Sequence, residues 1–279
     1  MAAARTVIGI DVAPVERSRL TGTERYTMEI VRALLRHPRA SEFDWRLYAR
    51  SEFARERLFP DARECAAAAH AQVMALGDAR MWTHRRLGRE VAAHPPDVLF
   101  VPAHVLPAAL PGRTLPPSVV TLHDVGYRSV PEGHTRRQRA YLEWSTRDTI
   151  SRATALIAVS QATAGDLQRF YGATPERMTV IHEAPSALAE VTAEQMAAVR
   201  DRHGVVRPYA LFVGSLTQRK NLQRLAQAYA CLVAAEAVEF DLLLAGGDGW
   251  GSEAIRAAVG ALALPGRIRF TGYLDEVER

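Results

Sequence analysis

Phe212-Val213-Gly214-Ser215-Leu216-Thr217-Gln218-Arg219-Lys220-Asn221-Leu222 carries the sequence from one kind of periodicity to another. The apolar run Leu211 to Val213 reads as a strand. It breaks at a Gly-Ser turn and passes into a segment where Leu222, Leu225 and Tyr229 mark the buried face of a helix. Strand, small turn and helix in that order form the repeating unit of a parallel sheet. The turn brings Arg219 and Lys220 to the start of the helix, where each cation opposes the helix dipole by about 0.3–1 kcal/mol. A bound anion would remove that conflict, and a diphosphate is the obvious candidate. The plainer reading is two basic side chains extended into water. The Gly214-Ser215 turn directly ahead of them favours the anion site.

The same alternation extends in both directions. Val7 to Val12, Trp45 to Tyr48, Val98 to Val101, Val119 to Leu122, Leu156 to Val159 and Met178 to Ile181 read as strands. Leu242 to Leu244 and Ile268 to Phe270 follow Leu211 to Val213. Several are unbroken Val/Ile/Leu runs, as expected of parallel strands covered on both faces. Helices lie between them. Thr21 and Glu24 have capping-box spacing, and Tyr26, Ile30 and Leu34 recur every four residues until His37-Pro38 stops the helix. Ser160 caps a helix that runs to Gly172. Thr192 and Gln195 form a second capping box, with Gly204 as the stop. The fold class is therefore α/β, with doubly wound parallel sheets.

At 279 residues the chain is long enough for about two domains. The boundary falls between Pro185 and Pro208, which assigns residues 1–190 to a first domain and 191–279 to a second. The first domain has six strands and the second only three, so the C-terminal domain reads as incomplete. Hydrophobic residues at 48% and charged residues at 24% exclude a disordered chain and a disulfide scaffold. The formal charge of +4 comes from interspersed residues of both signs, so the sequence lacks the basic stripe of a nucleic-acid binder. Such a charge suits phosphates or an anionic membrane surface, or, more commonly, a solvated surface with no specific partner. Cys65 and Cys231 are the only cysteines and share no metal-ligand spacing. They are expected to be small buried apolar residues in a reducing compartment. No apolar run approaches a membrane span, and the N-terminal segment is no signal-peptide core. The reading is a cytoplasmic protein.

Two further sites stand where parallel sheets place chemistry, at the carboxyl ends of strands. Leu20-Thr21-Gly22-Thr23-Glu24-Arg25-Tyr26 is a small turn entering a helix; on spacing alone it reads as an ordinary capped turn. Thr121-Leu122-His123-Asp124 leaves an apolar strand. His123 there either acts as a base or hydrogen-bonding group for a bound hydroxyl, or is satisfied by a backbone carbonyl while Asp124 caps the next turn. Several motifs fail. Gly214 to Asn221 has the length of a phosphate loop, but Arg219 and Asn221 stand where a glycine and Ser/Thr are required. Gly246-Gly247-Asp248-Gly249-Trp250-Gly251 misses the dinucleotide spacing and reads as a glycine-rich loop facing the cleft. His182-Glu183 lacks the second histidine of a zinc protease. Two basic amphipathic stretches, Arg80 to Arg89 with Met81, Trp82 and Leu87, and Arg136 to Arg147 with Tyr141 and Trp144, could rest on an anionic bilayer. Taken singly, each reads first as a solvated helix whose aromatics face the core.

Together these pieces resemble the family-4 retaining glycosyltransferases of the GT-B fold. The matches are Gly9-Ile10-Asp11 with Thr21 to Tyr26, Thr121-Leu122-His123-Asp124-Val125, Ala158-Val159-Ser160, Val180 to Pro185, Phe212 to Leu222, Leu244-Ala245-Gly246-Gly247 and Phe270-Thr271-Gly272-Tyr273. Each is weak alone; the ordered set, spanning nearly the whole chain, is specific. The resemblance implies two Rossmann-like domains with a nucleotide-sugar donor between them. It implies no metal and no cofactor, and a glycan or lipid-linked acceptor. By the same resemblance Arg219 and Lys220 neutralise the donor diphosphate, with Gly214 and Ser215 beside it. Gly22 and Thr23 approach the phosphates from the other domain. His123 contacts the transferred sugar, and Arg25, Tyr26 and Asp124 face the acceptor side. Fixed cations would stabilise the charge that develops on the leaving diphosphate. Two features of the family are missing. These are its paired glutamates seven residues apart in the second domain and its closing C-terminal helix. Ser215 also replaces a basic residue common in relatives. The expectation is a C-terminally incomplete glycosyltransferase with impaired turnover, peripheral at the inner face of the membrane. The alternative is a non-catalytic remnant or split subunit that binds a partner chain or membrane. A nicotinamide dehydrogenase is disfavoured by the failed glycine spacing.

Overall fold

A computed structural model of the chain describes residues 5–18, 20–61, 65–66, 68–108, 114–185 and 191–274. The junction expected at residue 190 and the middle of the Pro-rich 107–117 segment lie outside them. The strands are β1 (Thr6–Asp11), β2 (Phe43–Ala49), β3 (Ala71–Ala75), β4 (Val98–Val101), β5 (Ser118–Leu122), β6 (Ala155–Ala158), β7 (Met178–Val180), β8 (Tyr209–Val213), β9 (Asp241–Ala245) and β10 (Ile268–Gly272). The α-helices are α1 (Gly22–Arg36), α2 (Phe53–Leu58), α3 (Gly88–Ala93), α4 (Gly126–Ser129), α5 (Arg136–Arg152), α6 (Gln161–Tyr171), α7 (Ala193–Arg202), α8 (Leu222–Ala234) and α9 (Ser252–Gly260). The chain divides into two compact units, residues 1–125 with 140–186, and residues 126–139 with 187–279.

The first unit holds a seven-stranded sheet in the order β3-β2-β1-β4-β5-β6-β7. Every pairing is parallel; Ile8, for example, aligns with Trp45 on one side and Val98 on the other. The order reverses between β1 and β4, so a crevice opens at the carboxyl ends of those strands. The core on one face is built from Ile10, Val12, Val31, Leu35, Trp45, Leu47 and Phe100. β3 is a seventh strand where the sequence predicts six. Ala71-Gln72-Val73-Met74-Ala75 sits at the sheet edge and has no run of Val, Ile or Leu, so its pattern is weak.

The expected caps form. The Ser160 hydroxyl accepts from the Thr163 N–H at 3.0 Å, and Gly172 closes α6 in the left-handed region at φ 65°. Thr192 and Gln195 cap α7 reciprocally. The Glu24 carboxylate accepts from the Thr21 N–H at 2.9 Å and from the Thr21 hydroxyl. In α1 the Tyr26, Ile30 and Leu34 stripe is only half-buried; Thr27, Met28, Val31 and Leu35 form the innermost face, one residue further round.

The second unit holds a three-stranded parallel sheet in the order β10-β9-β8. β9 is central and buried along its whole length, and Leu242 and Leu244 pack with Leu222, Ala226, Tyr229 and Ile255. Among the described residues β8 pairs only with β9, and Tyr209, Leu211 and Val213 are exposed. Leu225, predicted on the buried face of α8, is 40% exposed; Ala226 takes the inward position next to it. Cys65 and Cys231 are also exposed rather than buried.

The two basic amphipathic stretches differ. In the first, Trp82 is buried, donates from Nε1 to the Gly77 carbonyl at 3.0 Å and lies under the Arg50 guanidinium. In the second, Tyr141 and Trp144 are 41% and 47% exposed, so they do not face the core as the plainer reading required. Both lean on His84, whose Nε2 lies 3.0 Å from the Tyr141 hydroxyl. Among the described residues no helix is long and apolar enough to cross a membrane.

Candidate functional site

In the first unit, the parallel sheet delivers residues from distant parts of the chain to one edge. Asp11 ends β1, Pro102 and His104 follow β4, His123 follows β5 and Glu183 follows β7. His123 is held on both sides. Its Nδ1 lies 2.7 Å from Glu183 Oε1, and its Nε2 lies 2.9 Å from the Pro102 carbonyl oxygen. The Thr163 hydroxyl donates to the His123 carbonyl at 3.0 Å, tying its backbone to α6. Tyr26 reaches across from α1 and meets the His123 ring edge-on, with centroids 4.8 Å apart. The Tyr26 hydroxyl lies 3.2 Å from Thr121 Oγ1. Burial raises the Tyr26 pKa, the Thr121 hydrogen bond opposes it, and the Glu183 charge adds to it.

Two other titratable groups at this edge are perturbed. His104, with a centroid 5.0 Å from that of His123, has its pKa lowered to about 4. Burial is the main cause, the charge of His123 adds to it, and Asp124 opposes it. Asp11 is buried and accepts the Ala13 N–H at 3.1 Å. Burial raises its pKa to about 7 against the pull of that N–H and of Arg50. Gly22 and Thr23 form the first turn of α1, where backbone N–H groups point outward. A Cβ on Gly22 would meet nothing within 4 Å, so packing does not demand glycine there. Arg25 sits one residue before Tyr26 in the same turn, half-buried.

The structure thus brings Tyr26 and His123 into contact, with Asp124 adjoining in sequence. It adds Glu183, which the sequence offered as half of a failed zinc motif and within the matching segment Val180 to Pro185, with no role of its own. The signal available was positional: Glu183 follows a strand two places along the sheet from β5, so both carboxyl ends open on one edge.

In the second unit, Gly214 to Gln218 and Gly246 to Gly251 lock together. The Leu216 N–H donates to the Gly247 carbonyl at 3.0 Å, and the Gly249 N–H returns to the Leu216 carbonyl at 3.2 Å. A Cβ on Gly249 would fall 2.5 Å from Thr217 Cγ2. The glycine-rich loop therefore serves close packing of two turns, which accounts for glycines that miss the dinucleotide spacing. Arg219 and Lys220 do not occupy the first turn of α8. They lie in a 3₁₀ turn, Gln218–Lys220, ended by Asn221 at φ 53° before α8 begins. The left-handed residue breaks the helix, so the dipole argument applies to them only weakly. Ser215, Thr217, Arg219, Lys220 and Trp250 instead line a cavity of about 380 Å³, with His134 and Gln138 of the same unit opposite. Gly214, at φ 157°, starts the turn that leads into it.

Comparison with known proteins agrees with this architecture. HepE from Anabaena, solved with UDP and glucose, superposes with a TM-score of 0.63 at 15% identity, covering 99% of this chain and 71% of that one. WaaG, a glycosyltransferase of lipopolysaccharide biosynthesis, gives 0.61 at 18% identity, covering 97% and 71%. The shared fold is the GT-B α/β fold of these enzymes. In sequence, the O-antigen chain mannosyltransferase B of Escherichia coli is 27% identical over 169 residues, 60% of this chain. The matched stretch spans 44% of that relative's length. The profile of Glycosyltransferase Family 4 matches residues 20–184, more than half of the sequence and every strand from β2 to β7. The chain belongs to glycosyltransferase family 4.

Proposed function

We propose that the chain handles a nucleoside diphosphate hexose and passes its sugar, with retention of configuration and without a metal or other cofactor, to a glycan or lipid-linked acceptor. The observation that carries this reading is the cavity lined by Ser215, Thr217, Arg219 and Lys220. Two cations, hydroxyls and a Gly-Ser turn suit a diphosphate, and their charge would favour its departure as a leaving group. Gly214 shapes the turn. Gly22 and Thr23 offer first-turn N–H groups to phosphate oxygens. His123 contacts the transferred sugar, and Arg25, Tyr26 and Asp124 serve the acceptor. The E. coli relative is an O-antigen chain mannosyltransferase, and HepE is solved with UDP and glucose; both fit a hexose carried on a nucleoside diphosphate. Exposed Tyr141 and Trp144, on a helix that opens with Arg136, Arg137 and Arg139, support peripheral contact with an anionic membrane where a lipid-linked acceptor resides.

Calorimetric titration with GDP, UDP, GDP-mannose and UDP-glucose tests the diphosphate assignment. Lys220→Ala should weaken the nucleotide that binds by about tenfold, the loss of one charge-assisted hydrogen bond. Equal affinity in wild type and variant would remove Lys220 from the site, and absence of binding by all four would remove the reading.

A further inference from the structure

The His123 ring is held by the loops that follow β4 and β7. The Pro102 carbonyl after β4 faces Nε2 at 2.9 Å, and Glu183 after β7 faces Nδ1 at 2.7 Å. Both partners are oxygens. A carbonyl oxygen can only accept, so Nε2 must carry a proton. A carboxylate also accepts, so a proton on Nδ1 completes the second bond. The remaining neighbours fit one charged ring at this point. The Tyr26 ring meets His123 perpendicularly from α1 and brings no positive charge. Asp124 adjoins on the same loop. His104 after β4 has its pKa lowered to about 4, by burial and then by the charge on His123, and so stays neutral beside it.

We infer that Glu183 is a positioning residue for His123: it holds the ring as a two-proton donor, and so gives His123 a hydrogen-bonding and electrostatic role rather than that of a base. The inference deepens the proposed sugar transfer, since it fixes what His123 can offer a sugar hydroxyl. With Nε2 committed to the backbone, Nδ1 is the nitrogen a ligand can reach, and Glu183, 43% exposed on its side chain, is the group that yields or shares it. A ring that donates from Nδ1 recognises a hydroxyl or developing oxyanion by its oxygen. It cannot remove that hydroxyl's proton.

The test uses the whole chain with ¹⁵N-labelled histidine, His123 being identified by the signals lost in His123→Gln. Ring ¹⁵N–¹H correlations at pH 7 report whether one or both nitrogens carry protons. Wild type and Glu183→Asp should show both protonated. Glu183→Gln should show a single proton, on Nε2, with an unchanged thermal midpoint. A wild-type ring with one proton, or the same ring state in wild type and Glu183→Gln, would overturn the inference. Turnover is a separate readout: Glu183→Gln should lower GDP release from GDP-mannose by at least about tenfold, as loss of an orienting carboxylate behind a histidine does elsewhere, with GDP affinity within about twofold. If wild type releases no nucleotide from any sugar donor, the proposed transfer fails, while the ring signals still decide the role of Glu183.

Discussion

Gly246→Ala tests how the two loops of the second unit are held. A Cβ built on Gly246 falls 1.9 Å from the Gly214 carbonyl oxygen and 2.7 Å from its carbonyl carbon, where real contacts do not go below 3.0 Å. The Gly214 backbone must therefore retreat by at least about 1.1 Å, and it is backbone rather than the end of a flexible side chain. The Gly214 N–H is bonded to the Ala245 carbonyl at 2.9 Å, so a backbone shift of that size strains or breaks the bond. Gly246 also sits at φ 151°, a conformation that costs an alanine about 1–3 kcal/mol. Overpacking adds about 1–3 kcal/mol and the lost hydrogen bond about 1 kcal/mol. The sum is roughly 3–7 kcal/mol, a large part of the about 5–15 kcal/mol that holds a domain together. Hydrogen exchange read by mass spectrometry localises the effect. Residues 209–221 should exchange at least about a hundredfold faster, while the first unit is unchanged. Gly260→Ala is the control: its Cβ meets nothing within 4 Å in α9, and it should be neutral or stabilise by up to about 1 kcal/mol. Equal protection of residues 209–221 in Gly246→Ala and wild type would refute the packing argument.

Three other predictions rest on burial and charge. Leu222→Ala should cost about 2–5 kcal/mol in urea unfolding of the second unit, and Leu225→Ala less than about 1 kcal/mol, because Leu222 is 1% exposed and Leu225 projects outward. Equal costs would show that α8 is rotated. Asp11 has its pKa raised from 3.8 to about 7, so between those values the folded chain keeps a proton that the unfolded chain has lost. Stability should be greatest below that window and fall as pH rises through it, by at most about 4 kcal/mol. Asp11→Asn should flatten the profile and exceed wild type at pH 8; parallel profiles would place the titration elsewhere. Trp144→Ser should reduce sedimentation with vesicles containing anionic lipid several-fold while leaving neutral vesicles unaffected, and identical sedimentation would remove the membrane assignment.

How much of this was legible depends on how local the signal is. Nine strands could be read because most carry short runs rich in Val, Ile and Leu, as parallel strands in a sheet do. β3 escaped because Ala71-Gln72-Val73-Met74-Ala75 carries no such run. Caps at Thr21, Ser160 and Thr192 were readable because a cap involves residues three apart in sequence. Leu225 misled because a period of three and a half residues places two neighbouring positions almost equally, and only packing against β9 chooses Ala226. At the site, His123 was visible as a polar residue at a strand end. The pairing of Glu183 with it was not, since 60 residues separate the two and only the order of strands in the sheet joins them. The glycine-rich loop was visible as composition, but its purpose lies in the turn it packs against, some thirty residues earlier.

The exposed cysteines have a practical consequence. Cys65 belongs to the first unit and Cys231, on α8, to the second, and the chain has no others. Each is open to a maleimide dye or spin label without mutagenesis. The native sequence therefore carries a ready pair of probes, one per unit. The distance between them, followed by energy transfer or pulsed electron resonance as GDP or UDP is added, would report directly whether nucleotide draws the units together.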